Sequence, residues 1–105
     1  MRVIGTVVEA ESGEPIEGLR VRAYDKDWVF DDDVGDTLTD AAGSFEIRYT
    51  ESQFRDHAET LPDLYLRVYA ADGEKLLYSS EKAVRRDAQI VERFEIRIPR
   101  SALAG

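Results

Sequence analysis

The sequence predicts an all-β fold, a sandwich of about seven short strands with one helical turn. Three observations predict it. Stretches of roughly four to eight residues alternate apolar with charged or polar side chains at period two. Clusters of Gly, Pro, Asp and Ser punctuate the chain between those stretches. The composition, 43% hydrophobic and 34% charged over 105 residues, suits one globular core and not a disordered chain.

The first strand covers 2–9, β-branched and apolar through Val3-Ile4-Gly5-Thr6-Val7-Val8. It stops at Glu11-Ser12-Gly13-Glu14-Pro15, a turn cluster that no strand interior tolerates. Residues 19–25 alternate, with Leu19, Val21 and Ala23 facing inward and Arg20, Arg22 and Tyr24 outward. An acidic loop occupies 25–36, followed by a short strand at Thr37-Leu38-Thr39. The turn Asp40-Ala41-Ala42-Gly43 leads to 44–49, where Phe45, Ile47 and Tyr49 share a face. Thr50-Glu51-Ser52-Gln53 reads as a capping box and opens a short helix over 51–58, with Phe54 and Ala58 inward. Pro62 ends that excursion. Residues 64–70 alternate again, Leu64, Leu66 and Val68 against Tyr65, Arg67 and Tyr69. Asp72-Gly73 is a hairpin turn, because a type I′ turn needs positive φ at both central positions. Leu76-Leu77-Tyr78 returns, and the last strand, 88–98, sets Phe94, Ile96 and Ile98 against Arg93, Glu95 and Arg97.

These elements make a single domain over 1–100, with 101–105 a flexible tail or linker remnant. No apolar run is long enough to span a bilayer, and no secretory leader is expected, since Met1-Arg2-Val3 enters a strand at once. The net charge of -8 disfavours nucleic acid and anionic membranes as partners. With no cysteine there is no disulfide or thiolate chemistry, and the compartment stays open.

Three stretches taken together resemble a known family. They are Gly5-Thr6-Val7 with Gly13-Glu14-Pro15-Ile16-Glu17-Gly18-Leu19-Arg20-Val21, then Thr39-Asp40-Ala41-Ala42-Gly43-Ser44-Phe45, then Pro62-Asp63-Leu64-Tyr65-Leu66-Arg67-Val68. In this order they are similar to the transthyretin-like (prealbumin-like, carboxypeptidase regulatory-like) sandwich domains, and the likeness covers most of residues 2–80. The resemblance implies a seven-stranded Greek-key sandwich and, since such sandwiches pair edge to edge, a homo-oligomer as one outcome. The departures from the family's pattern lead to the expectation of no enzyme. The family's hydrolase branch uses several histidines and a Tyr-Arg-Gly-Ser tail, whereas this chain has one histidine and reads Pro99-Arg100-Ser101-Ala102. Related dioxygenases hold iron with paired tyrosines and histidines, which a single histidine cannot supply. The isopeptide bond of related pilin-type domains starts from a lysine on the first strand, and 2–9 contains none.

Charge is concentrated in residues 25–36, where six aspartates meet one lysine for a net -5. Calcium takes oxygen ligands from a chain that wraps the ion, so Asp25, Asp27, Asp31, Asp32, Asp33 and Asp36 are the candidate metal ligands. The spacing touches several positions of an EF-hand loop but fails at Phe30, where the sharp turn needs glycine, and at Val29, where an oxygen ligand is required. Solvated charges that keep an edge strand soluble are the alternative. Trp28 and Phe30 either contact a sugar or a protein partner or turn inward to pin the loop. The outward arginines at 20, 22, 48, 67, 93 and 97 either face an acidic ligand or pair with carboxylates across strands. His57 has no neighbouring nucleophile to activate. The expectation is a non-catalytic accessory or interaction module, binding calcium through the acidic loop and serving a protein partner or neighbouring domains of a parent chain. The alternatives are an assembly domain that docks by edge strands and a module that binds a glycan.

Overall fold

The computed structural model describes residues 1–27, 30–50 and 61–104. Trp28, and the helix expected over 51–58 with His57, lie outside the described residues. The chain is mostly β and forms two sheets. Its elements are β1 (Arg2–Glu9), β2 (Arg20–Asp25), β3 (Asp32–Leu38), β4 (Ser44–Arg48), β5 (Leu64–Tyr69), β6 (Leu76–Ser79), a 3-10 turn at Glu81–Ala83, β7 (Val91–Ile98) and α1 (Arg100–Leu103). A three-stranded sheet runs β4-β1-β7 and a four-stranded sheet runs β3-β2-β5-β6.

Period-two alternation builds the core. Val3 and Val7 of β1, Phe45 and Ile47 of β4 and Phe94, Ile96 and Ile98 of β7 point from one sheet. They meet Val21 and Ala23 of β2, Val34 of β3 and Leu64, Leu66 and Val68 of β5 from the other. β1 pairs antiparallel with β4 but parallel with β7, in unbroken register from Arg2↔Val91 to Glu9↔Ile98.

Two buried hydroxyls stitch the sandwich where ladder bonds run out. Thr39 is 3% exposed; its Oγ1 accepts from the Leu19 N–H at 3.0 Å and donates to the Ile16 carbonyl at 2.7 Å. The Ser80 hydroxyl accepts from the Leu66 N–H at 2.9 Å. Both satisfy backbone groups that burial would otherwise leave unpaired.

The last strand begins at Val91, three residues later than the sequence reading has it, and two segments change character. The segment read as an acidic loop over 25–36 is largely strand, with Asp25 closing β2 and Asp32, Asp33 and Asp36 inside β3. Val34 explains this: it is fully buried and anchors the strand while its acidic neighbours stay at the surface. The segment read as a tail begins with α1, whose Ala102 and Leu103 pack against the core. Arg100 fastens it, through its guanidinium to Glu9 at 2.9 Å and its N–H to Glu11 at 2.9 Å.

Candidate functional site

The strand registers arrange the outward side chains of the four-stranded sheet in rows. One row is Leu38, Arg20, Tyr69 and Leu76; the next is Asp36, Arg22, Arg67 and Ser79; the third is Asp33, Tyr24 and Tyr65. Arg22 and Arg67 therefore stand directly opposite each other at the centre, an arrangement that like charge disfavours. Aromatic rings and carboxylates offset it. The Arg67 guanidinium lies 5.3 Å from the Tyr24 ring centre and 5.6 Å from that of Tyr65, and the Arg22 guanidinium lies 5.6 Å from that of Tyr69. Tyr24 and Tyr65 stack with centroids 5.0 Å apart.

The carboxylates sit at the margins of this face. Glu81 binds Arg67 at 2.7 Å and Lys26 at 2.8 Å, and these two bonds hold its carboxyl below the usual glutamate range. Asp36 takes Arg20 at 2.7 Å, and Asp33 and Asp36 lie 3.7 and 3.8 Å from Arg22. Asp31 accepts the Tyr65 hydroxyl at 2.5 Å and the Asp27 N–H at 3.0 Å. Burial pushes the Asp31 carboxyl up, but these bonds, with Lys26 and Arg67, bring it below its ordinary value. Tyr65 is only 1% exposed although it points outward. Burial, then the bond to Asp31, pushes its phenol upward.

The six candidate metal ligands thus divide, with Asp27 giving its N–H to Asp31. Asp33 and Asp36 turn to the arginines, and Asp31 turns to Tyr65 and Lys26. Asp25 and Asp32 face each other across β2 and β3, and Asp25 also accepts the Asp63 N–H at 2.9 Å. Burial raises the Asp25 carboxyl, and Asp32, Asp63 and Asp27 add like charge. Among the described residues no three carboxylate or histidine groups stand together as a metal-holding set. Phe30 does not turn inward: it is 78% exposed.

The sequence marked the outward tyrosines and arginines but not their junction. Strand order β3-β2-β5 brings Tyr24 beside Tyr65 and Arg22 beside Arg67, and alternation within one strand carries no information about its neighbour.

No known protein-family profile matches the chain. No curated protein does either. Among solved structures, the chain is similar to part of a 9R-lipoxygenase from Cyanothece PCC8801, at 24% identity and a TM-score of 0.65. The likeness covers 90% of this chain and 16% of the lipoxygenase, so the chain spans a small part of that protein's length. At that identity the likeness concerns the fold alone.

Proposed function

We propose that this chain is a non-catalytic interaction module, a transthyretin-like Greek-key sandwich of seven strands, whose working surface is the outer face of the four-stranded sheet. The observation that carries the proposal is the opposed pair Arg22 and Arg67, held among Tyr24, Tyr65 and Tyr69. Tyrosine and arginine are the residues that dominate protein interfaces. Here ion pairs and ring contacts already fix them, so little side-chain entropy is lost on docking. Exposed Leu38 and Leu76 flank the same rows. The occupant is a protein partner or a neighbouring domain of a parent chain. A glycan has less support, because Tyr24 and Tyr65 cover each other's ring faces.

Site-specific photo-crosslinking tests this. A benzophenone side chain at Tyr69 or Leu76, in cells of the source, gives a discrete adduct that the same probe at Ser12 does not, and Arg22→Glu removes it. Adducts of equal strength from Ser12, or none from the sheet face, sink the proposal.

Calcium is a second reading, favoured by the like charge that Asp32, Asp63 and Asp27 impose on Asp25. A divalent cation relieves that repulsion by drawing Asp27 and Asp32 in toward Asp25, carboxylates that do not already form a metal-holding set. Binding to the folded state raises the melting temperature through linkage. Millimolar calcium, but not magnesium, raises the melting point, and Asp27→Asn with Asp32→Asn cancels the rise. Identical melting curves with and without calcium end this reading.

A further inference from the structure

We propose that the free edge of β7 takes up an extended strand of a protein partner whose side chains run acid, apolar, base, apolar, acid. The inference is independent of the four-stranded face and starts from the backbone. Ile90 and Ile98 turn their carbonyls to β1, where they accept from Arg2 and Ala10. Backbone groups alternate along a strand, so those of Arg93, Glu95 and Arg97 point away from β1, to the side where β7 has no strand neighbour among the described residues.

This edge differs from the others. β6 has four residues and a register shift against β5. β3 carries Asp32, Asp33 and Asp36 and a register shift against β2. β4 has five residues. β7 has eight residues in regular register, the kind of edge that proteins ordinarily blunt. One blunting device is present at its start. Arg85 caps the Arg93 carbonyl at 2.5 Å, binds Glu92 at 2.9 Å and lies 3.7 Å over the Phe94 ring. The open stretch therefore runs from the Arg93 N–H to Arg97.

The outer side chains say what fits there. Arg20, Arg22, Arg48 and Arg67 each have a carboxylate within ion-pair distance. Arg93 and Arg97 have none among the described residues. Their neighbours on β1, with that of Glu95, are Ile4, Thr6 and Val8, which carry no charge. The row Arg93, Glu95, Arg97 is thus unanswered by charge on β1 and stands ready to be answered by a strand on its free side. Such a strand meets Arg93 and Arg97 with acids and Glu95 with a base, and sets apolar side chains level with the buried Phe94 and Ile96. The pattern reads the same in both directions, so either strand polarity satisfies it. A second copy of β7 fits less well, since a two-residue offset matches Glu95 with Arg97 but leaves an arginine of each copy unanswered.

The test uses the isotope-labelled protein and two peptides, Ac-Gly-Glu-Val-Lys-Val-Glu-Gly-NH2 and its charge-reversed counterpart. The first shifts the amide resonances of Glu95 and Arg97, slows their hydrogen exchange, and binds at least tenfold more tightly than the second. Arg93→Glu with Arg97→Glu, both exposed positions, reverses that preference. Equal binding of both peptides overturns the proposal, as does the absence of shifts at millimolar peptide. A dimer in sedimentation velocity whose contact maps to Glu95 and Arg97 overturns it too, since the edge then belongs to a second copy.

Discussion

At Gly5 the backbone of β1 lies so close to its neighbours that an added Cβ would come within 2.0 Å of the Phe94 carbonyl oxygen and 2.9 Å of the Phe45 ring. Gly5 pairs with both residues, with Phe45 on β4 and Phe94 on β7, so neither strand can withdraw without breaking a ladder. Gly5→Ala is therefore expected to destabilise the domain by about 3 kcal/mol, the upper range for overpacking a well-filled core. Denaturant titration checks it, and a loss below about 1 kcal/mol would show that the strands part more easily than the geometry implies. The sequence placed Gly5 correctly within a strand, because its β-branched neighbours are unambiguous. It could not show why glycine stands there, since the reason is two pairings distant in the chain. Thr39 is a similar case. It read as the end of a short strand, and its double hydrogen bond to the Ile16–Leu19 segment depends on a turn packing across the strand end.

Among the elements, strands with clean alternation were legible: β2, β4, β5 and the second half of β7 carry the inward and outward faces expected of them. β3 was only half legible, and the physical reason is compensation from another strand. Aspartate has low strand propensity, and a register shift between Ala23 and Tyr24 interrupts the period against β2. What holds the strand is Val34 inside and Arg20 and Arg22 outside, and those arginines belong to β2. The same pairing redirects the candidate site. Clustered aspartates in sequence suggested one cation-binding knot, whereas successive residues of a strand point to opposite faces, which separates neighbouring aspartates. The parallel partnership of β1 with β7 was not legible either, because nothing within a strand states its neighbour or its direction. That partnership puts β7 at the edge of its sheet among the described residues.

For the whole molecule, charge and burial together fix the pH window of stability. On the acid side, Arg100 and Ser12 hold Glu9 below its ordinary value, Arg48 and Arg2 do so for Glu46, and Lys26 and Arg67 for Glu81. A depressed carboxyl stabilises the fold above its unfolded value of about 4.3, and that contribution fades as pH falls through the folded value. These groups lie at the surface, Glu46 exposed and Glu9 and Glu81 half-buried, so this limb is shallow and weakens with salt. The alkaline limb is steeper because it rests on buried rings. Burial, with Glu92 and Asp25 adding negative charge, pushes the Tyr49 phenol up to about 12. Burial raises Tyr24 as well, and Tyr65 further still through its bond to Asp31. Phenols in the unfolded chain ionise near 10, so each raised group contributes stability that is complete below about pH 10 and is lost as pH climbs through its folded value. Lys26, raised by its bond to Glu81, acts in the same direction. Unfolding free energy should thus stay level through neutral pH and fall between about pH 10 and 12. Tyr49→Phe removes one titrating group and flattens that fall, whatever it does to stability at neutral pH. Tyrosinate absorbance supplies the independent readout. If all five tyrosines ionise near 10 in the folded protein, the buried phenols are open to water and this account of the alkaline limb is wrong.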